Sequence, residues 1–147
     1  MSPIQRFDHV GITVKDLDTV TAFFVGLGFE KLRAGRSWRA SSWTPSLAYL
    51  TPVPRSSCCG PPDGGTGLEL ASFIRPNHEP GSPDAMANEL GLRSVVFEVD
   101  DLQAILDRLA ADGYDLVGGV GQYEGIWRMA YVRGPEGLIV SLAQRIG

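Results

Sequence analysis

The chain has 147 residues, of which 44% are hydrophobic and 20% charged, so it is long enough for one globular domain or for two half-domains that share a core. Its formal net charge of −4 argues against a nucleic-acid-binding surface, which would need a basic stripe. The absence of a long apolar run and of an apolar signal core predicts a cytoplasmic protein without a membrane span.

The first half of the chain predicts a strand, a helix and a second strand in succession. Alternating apolar residues predict a strand over 7–14, with its apolar side chains on one face. The helix that follows begins at an aspartate cap, Asp16 or Asp18, and ends at Gly28. The next strand begins within 29–32.

A further strand is predicted over 67–74, where Glu69 lies on the face opposite its two leucine neighbours. Prolines and glycines then mark 75–90 as a linker that contains a short helical piece around 84–89.

The second half repeats this plan. A strand over 92–99 leads into a helix that Asp100 or Asp101 caps and that Gly113 ends. A turn over 134–137 precedes the last strand. The strands predicted after this helix lie near 115–117, 128–133 and 138–143.

An offset of 85 residues relates the two halves. The pairs that match at this offset are Val14 and Val99, Asp16 and Asp101, Leu17 and Leu102, and Gly28 and Gly113. The chain therefore reads as two copies of one unit, each a strand, a helix and three strands. One difference between the copies bears on function: the first has His9 where the second has Ser94.

The segment 34–60 does not fit the repeat, because it is rich in Ser, Pro, Arg and Trp and has only a weak strand signal near 47–50. We interpret Cys58 and Cys59 as incidental thiols in a loop. Codons that encode 37–61 also permit a second reading in the neighbouring frame, which ends in Thr-Glu-Ile-Val-Met-Leu-Arg-Pro and supplies the missing strand. We hypothesise a compensated frameshift in the gene or its sequencing, and expect this part of the first unit to be its least regular region.

The duplicated unit, with Phe-Asp-His-Val-Gly-Ile at 7–12 and Pro-Glu-Gly at 135–137, resembles the vicinal-oxygen-chelate superfamily. That superfamily includes glyoxalase I, bleomycin-resistance proteins, methylmalonyl-CoA epimerase and extradiol dioxygenases. The resemblance implies an α+β fold in which two βαβββ modules form a curved mixed sheet around a cup, with the helices outside. It further implies a homodimer and one glyoxalase-like domain over 1–147, with modules at about 5–76 and 90–145.

The resemblance also implies which residues occupy the metal-ligand positions of the superfamily. His9 and Glu69 match the first two positions, whereas Ser94 and Ser141 stand at the third and fourth. A catalytic divalent site commonly has three protein ligands and an open position, and a neutral hydroxyl is a poor substitute. The implied cofactor is therefore a divalent metal (Zn, Ni, Mn or Fe) with an incomplete ligand set.

Other residues are candidates for binding an organic ligand. Glu98 shares a strand face with Ser94, and His78 in the linker is a candidate to approach the same cup. The stretch 121–131 combines large apolar side chains with polar ones, a composition that suits a planar organic ligand or, alternatively, core or dimer packing. The candidate ligand-binding residues are Ser94, Glu98, Tyr123, Trp127, Met129, Tyr131 and Ser141.

Three functions remain open from the sequence. The first is a protein that sequesters an aromatic or hydrophobic metabolite or antibiotic, which the two serines and the aromatic stretch favour. The second is a metal-dependent lyase, isomerase or dioxygenase resembling glyoxalase I, which His9 and Glu69 favour. The third is a metal-free enzyme in which His9 and Glu69 act as catalytic acid and base.

Overall fold

The computed structural model describes residues 3–4, 6–32, 55–73 and 77–147. The chain divides into two compact units, Met1–Pro80 and Gly81–Gly147. Each unit consists of one ten-residue helix and one four-stranded mixed sheet, which confirms the predicted α+β fold of two βαβββ modules. Within the described ranges, no helix is long and apolar enough to cross a membrane.

Each unit runs in chain order through a strand, a helix and three further strands. The first unit contains β1 (His9–Thr13), α1 (Leu17–Gly26), β2 (Glu30–Lys31), β3 (Arg55–Gly60) and β4 (Gly67–Ser72). The second contains β5 (Ser94–Glu98), α2 (Leu102–Ala111), β6 (Gly121–Tyr123), β7 (Trp127–Arg133), a 3-10 turn (Pro135–Gly137) and β8 (Ile139–Arg145).

The two sheets have the same topology. Their strand orders are β1-β4-β3-β2 and β5-β8-β7-β6, so the first strand of each unit pairs in parallel with the last. The register is equivalent as well: Gly11 pairs with Glu69 in the first sheet, and Val96 pairs with Ser141 in the second. The internal repeat therefore extends from the sequence to individual residue positions.

Helix α1 begins where the sequence predicts, at the Asp16 cap. One carboxylate oxygen of Asp16 accepts from the Thr19 backbone N–H at 3.0 Å, and the other accepts from the Thr19 hydroxyl at 2.8 Å. The buried side of the helix packs against β3 and β4, and Phe24 makes edge-to-face contacts with Phe23 and Phe29. The chain leaves the helix through Gly28, whose φ of +107° suits glycine.

The Asp16 cap predicts a pH dependence of stability. The hydrogen bonds from Thr19 hold the pKa of the Asp16 carboxyl below its ordinary value of 3.8. Because the folded-state pKa is lowered, the cap stabilises the fold above that ordinary value, and this contribution is lost as the pH falls through the lowered one. Asp16→Asn keeps an acceptor and should match the wild type at pH 7, but its melting temperature should fall less on acidification to pH 3. Parallel losses in the two proteins, measured by circular dichroism, would contradict this role.

Helix α2 follows the same design in the second unit. Asp101 caps it by accepting from the Ala104 backbone N–H at 3.0 Å, and Gly113 follows its end with a φ of +88°. The buried apolar residues of this unit include Leu102, Leu106 and Leu109 of the helix and Ala130, Val132, Val140 and Leu142 of the sheet.

Two predictions for the second unit are wrong. Residues 115–117 pair with β7 through an isolated antiparallel bridge, Leu116 to Val132, with one backbone hydrogen bond on each side of it, and the first regular strand after α2 is instead Gly121–Tyr123. The piece around 84–89 is a pair of turns rather than a helix. At 115–117 the pairing with β7 is too short to form a regular strand, and at 84–89 the local turn chemistry overrides a weak helical pattern.

Strand β3 corrects the interpretation of the cysteines. Cys58 and Cys59 lie in this regular strand and not in a loop, because β3 pairs with β4 on one side and β2 on the other. Cys59 is fully buried, and burial raises the pKa of its thiol. The weak strand signal near 47–50 lies outside the described residues, so the expected irregularity of the segment is contradicted only for 55–60.

Candidate functional site

The clearest polar contact in the first unit joins β1 to β4. The parallel register sets Gly11 beside Glu69, and the His9 side chain, two residues earlier on the same face, reaches the carboxylate. His9 Nε2 lies 2.9 Å from Glu69 Oε2. The two side chains are 38% and 27% exposed, so the pair is open to solvent on one side while it is supported by the sheet on the other.

Asp8 and Arg6 extend this contact, and the sequence analysis missed both. His9 Nδ1 lies 3.0 Å from Asp8 Oδ2, and the Arg6 guanidinium forms an ion pair with the other Asp8 oxygen. No signal in the sequence pointed to Asp8, because the predicted strand 7–14 includes it, whereas β1 begins at His9 and leaves the Asp8 side chain outside the alternation of the strand. The result is a linear chain of four charged or titratable groups that ends at Glu69.

This arrangement places a hydrogen-bond acceptor at each ring nitrogen of His9. Both ring nitrogens of His9 face carboxylate oxygens, whereas a neutral imidazole has only one N–H to donate. Both contacts are hydrogen bonds only if His9 is an imidazolium or if one carboxyl group carries the proton. A metal ion that bound both His9 Nε2 and the Glu69 carboxylate would have to displace the proton of the hydrogen bond between them.

Cys58 adds a thiol on the other side of Glu69, and it too was missed by the sequence analysis. It pairs in register with Glu69 across β3 and β4, which places both side chains on one face of the sheet. Burial raises the pKa of the Cys58 thiol, and the negative charges of Glu69 and Cys59 raise it further. The thiol therefore stays protonated at neutral pH and adds a weak hydrogen-bond donor to this face.

The second sheet carries serines at the positions equivalent to His9 and Glu69. Ser94 occupies the first of these positions and is half-buried, and Ser141 occupies the second and is 1% exposed. The Ser141 hydroxyl has no hydrogen-bond partner among the described residues. The registers of the two sheets make Ser94 equivalent to His9 and Ser141 equivalent to Glu69.

The register also shows on which face of the second sheet the aromatic residues of 121–131 lie. Tyr131 pairs with Ser141, Met129 with Ala143, and Tyr123 with Trp127, so their side chains share the face on which Ser94 and Glu98 lie. Tyr123 and Tyr131 are 59% and 39% exposed, and Trp127 and Met129 are half-buried. One face of this sheet thus brings together all the candidate ligand-binding residues, which are Ser94, Glu98, Tyr123, Trp127, Met129, Tyr131 and Ser141.

His78 does not join the His9–Glu69 pair. It is half-buried, and its backbone N–H donates to the Asn77 side chain at 3.0 Å. Its described contacts include neither His9 nor Glu69.

Neither sheet by itself supplies the donor set of a three-ligand catalytic metal centre among its described residues. His9 and Glu69 supply one imidazole and one carboxylate, and the equivalent pair in the second sheet supplies only neutral hydroxyls. Across the described part of the chain, no three His, Cys, Asp or Glu side chains form a group that would hold an ion.

Two equivalent βαβββ modules, with an imidazole–carboxylate pair on the first sheet, define a protein of the glyoxalase-like fold class. The chain matches the Glyoxalase/Bleomycin resistance protein/Dioxygenase superfamily over residues 6–142. It belongs to that superfamily.

Solved structures support the same assignment. The chain is 33% identical to a glyoxalase family protein from Bacillus cereus, with a TM-score of 0.88 over 99% of this chain and 97% of that one. A glyoxalase/dioxygenase from Nostoc punctiforme is 18% identical, with a TM-score of 0.65 over 100% of this chain and 97% of that one. The fosfomycin resistance protein FosX from Listeria monocytogenes is 14% identical, with a TM-score of 0.64 over 98% and 94%. The last two similarities establish the fold alone. No curated protein shows significant similarity to the chain.

Proposed function

We propose that this protein binds and sequesters a small aromatic or hydrophobic molecule, a metabolite or an antibiotic, in the manner of the bleomycin-resistance branch of its superfamily. The observation that carries the proposal is the side-chain composition of the open face of the second sheet. There, exposed or half-buried aromatic residues stand beside Ser94 and Ser141 at the positions where a metalloenzyme would need ligands.

The aromatic residues suit a planar ligand because ring stacking adds about 0.5–1.5 kcal/mol beyond the area that is buried. Polar groups on the same face, Glu98 and the two serines, would fix the orientation of a ligand. We further propose that the protein is cytoplasmic and forms a homodimer. Sedimentation of the purified chain measures its oligomeric state.

The test is a titration with aromatic probes, among them bleomycin and 8-anilinonaphthalene-1-sulfonate, followed by calorimetry and Trp fluorescence. Tyr131→Ala should weaken binding of the best probe about fivefold, since it removes a ring contact of about 1 kcal/mol. Tyr131→Phe keeps the ring and serves as the matched control, with an affinity within about twofold of the wild type. An affinity for the probe that is unchanged in Tyr131→Ala would refute the proposal that the ligand binds on this face of the second sheet.

The second candidate is a divalent-metal-dependent lyase, isomerase or dioxygenase. The 2.9 Å contact between His9 and Glu69 favours it, since these are the two retained ligand positions. A FosX variant whose structure contains Mn(II) has the same fold, at 15% identity and a TM-score of 0.63. Titration with Mn²⁺ separates the candidates: a stoichiometric ion that His9→Ala abolishes supports the enzyme and overturns metal-free sequestration.

A further inference from the structure

The two sheets differ at a third equivalent position, next to the His9–Glu69 pair. Gly11 pairs with Glu69 in the first sheet, and Val96 pairs with Ser141 in the second. Gly11 and Val96 also lie on the same face as His9 and Ser94, respectively. One face therefore presents histidine, glycine and glutamate where the other presents serine, valine and serine.

Nothing in the described structure requires glycine at position 11. The backbone of Gly11 is not in the left-handed region, and a Cβ built there would meet no described atom within 4 Å. Val96 shows that a β-branched residue fits the equivalent strand position. Glycine inside a strand weakens it, and it often marks a place where a ligand approaches the backbone closely.

The residue beside Gly11 is also more exposed than the residue beside Val96. Beside Gly11, the Glu69 side chain is 27% exposed, although it lies on a central strand of the sheet. Beside Val96, which is itself 56% exposed, Ser141 is 1% exposed. A glutamate reaches further than a serine, and the valine side chain adds cover that glycine does not provide.

We propose that Gly11 determines the specificity of the His9–Glu69 site by leaving room for a flat ligand to lie on β1 and reach the Glu69 carboxylate. The ligand class is a planar ring that carries a hydroxyl or amino donor, because an ionised carboxylate only accepts hydrogen bonds. This inference rests on the proposed small-molecule binding and concerns the first sheet alone.

The test measures access to Glu69 without a ligand. The purified protein is treated with a water-soluble carbodiimide and glycine ethyl ester, which convert an accessible carboxyl group to an amide with release of the urea. Peptide mass spectrometry follows Glu69 relative to Glu124, an exposed carboxylate in the turn between β6 and β7. Gly11→Val should lower the relative rate at Glu69 at least fivefold, and Gly11→Ala should lower it by a smaller factor.

Val96→Gly is the matched control and should leave the Glu69 rate unchanged. Melting temperatures of both Gly11 variants at or above that of the wild type would exclude a folding defect as the cause. An unchanged Glu69 rate in Gly11→Val would overturn the role of Gly11. A wild-type chain that binds none of the aromatic probes would refute the proposed function separately, because the labelling needs no ligand.

Discussion

Gly137→Ala is expected to destabilise the protein by about 3 kcal/mol or more, the largest loss that we predict for a single methyl group. Gly137 has a φ of +80°, and a Cβ at this position would lie 2.1 Å from the carbonyl oxygen of Pro83 and 2.4 Å from its Cα. The left-handed backbone alone would cost about 1 kcal/mol for alanine, and the overlap with backbone atoms adds to that cost.

The Pro83 backbone is held in place against this overlap. The Arg133 guanidinium donates to the carbonyl oxygens of Pro83 at 2.7 Å and of Ala85 at 3.1 Å. A shift of Pro83 away from a new methyl group would therefore break charge-assisted hydrogen bonds. This is why relief of the overlap should be incomplete.

Gly118→Ala is the matched control for this prediction. Gly118 has a similar φ of +88°, but a Cβ there would meet no described atom within 4 Å. Gly118→Ala should lower the free energy of unfolding by about 1 kcal/mol, from the backbone conformation alone. Urea denaturation of both variants gives the two free energies of unfolding, and equal losses would show that the contact with Pro83 is not maintained in solution.

The turn at Gly137 also illustrates how far the sequence predicts this fold. The Gly-Pro-Glu-Gly run at 134–137 indicates a turn by local chemistry, and that prediction is confirmed by the 3-10 turn. The contact with Pro83, more than 50 residues earlier in the chain, has no local signal. Local signals thus identified the helix caps and most strands, whereas the packing of the segment around Pro83 depended on tertiary contacts.

The candidate site likewise contains residues that the sequence predicted and residues that it did not. The family resemblance implied that His9 and Glu69 stand at the first and second ligand positions, and the structure brings the two side chains within 2.9 Å of each other. Asp8 and Cys58 escaped because their roles follow from a side chain just outside a strand and from the pairing of β3 with β4. Neither relation is encoded in the spacing of residue types along the chain.

Ser57→Val is expected to stabilise the protein by about 1–2 kcal/mol, an unusual direction for a core substitution. Ser57 is 7% exposed and pairs in register with Leu70, which is fully buried. Its hydroxyl has no hydrogen-bond partner of good geometry among the described residues, apart from a weak contact with the Cys59 thiol, whose pKa burial raises and this contact lowers. A buried hydroxyl without a partner of good geometry costs about 1–3 kcal/mol, and valine replaces it with apolar atoms on a strand that favours β-branched residues.

Ser57→Thr is the matched control, because threonine has the shape of valine but keeps the hydroxyl. The valine variant should exceed the threonine variant by at least about 1 kcal/mol in urea denaturation, if the hydroxyl is the source of the cost. Equal stability of the two variants would show that the hydroxyl finds a partner in solution.

The Ser57 prediction also bears on the hypothesis of a compensated frameshift. The second reading of the segment, aligned so that it ends at Pro61, gives valine at position 57 and leucine at position 59. These are the two positions of β3 whose partners, Leu70 and Leu68, belong to the buried core, so the alternate reading follows the alternation that the strand requires. Ser57→Val combined with Cys59→Leu should therefore be more stable than Ser57→Val alone. A double variant less stable than the single one would count against the hypothesis, and codons in the gene that do not permit the second reading would exclude it.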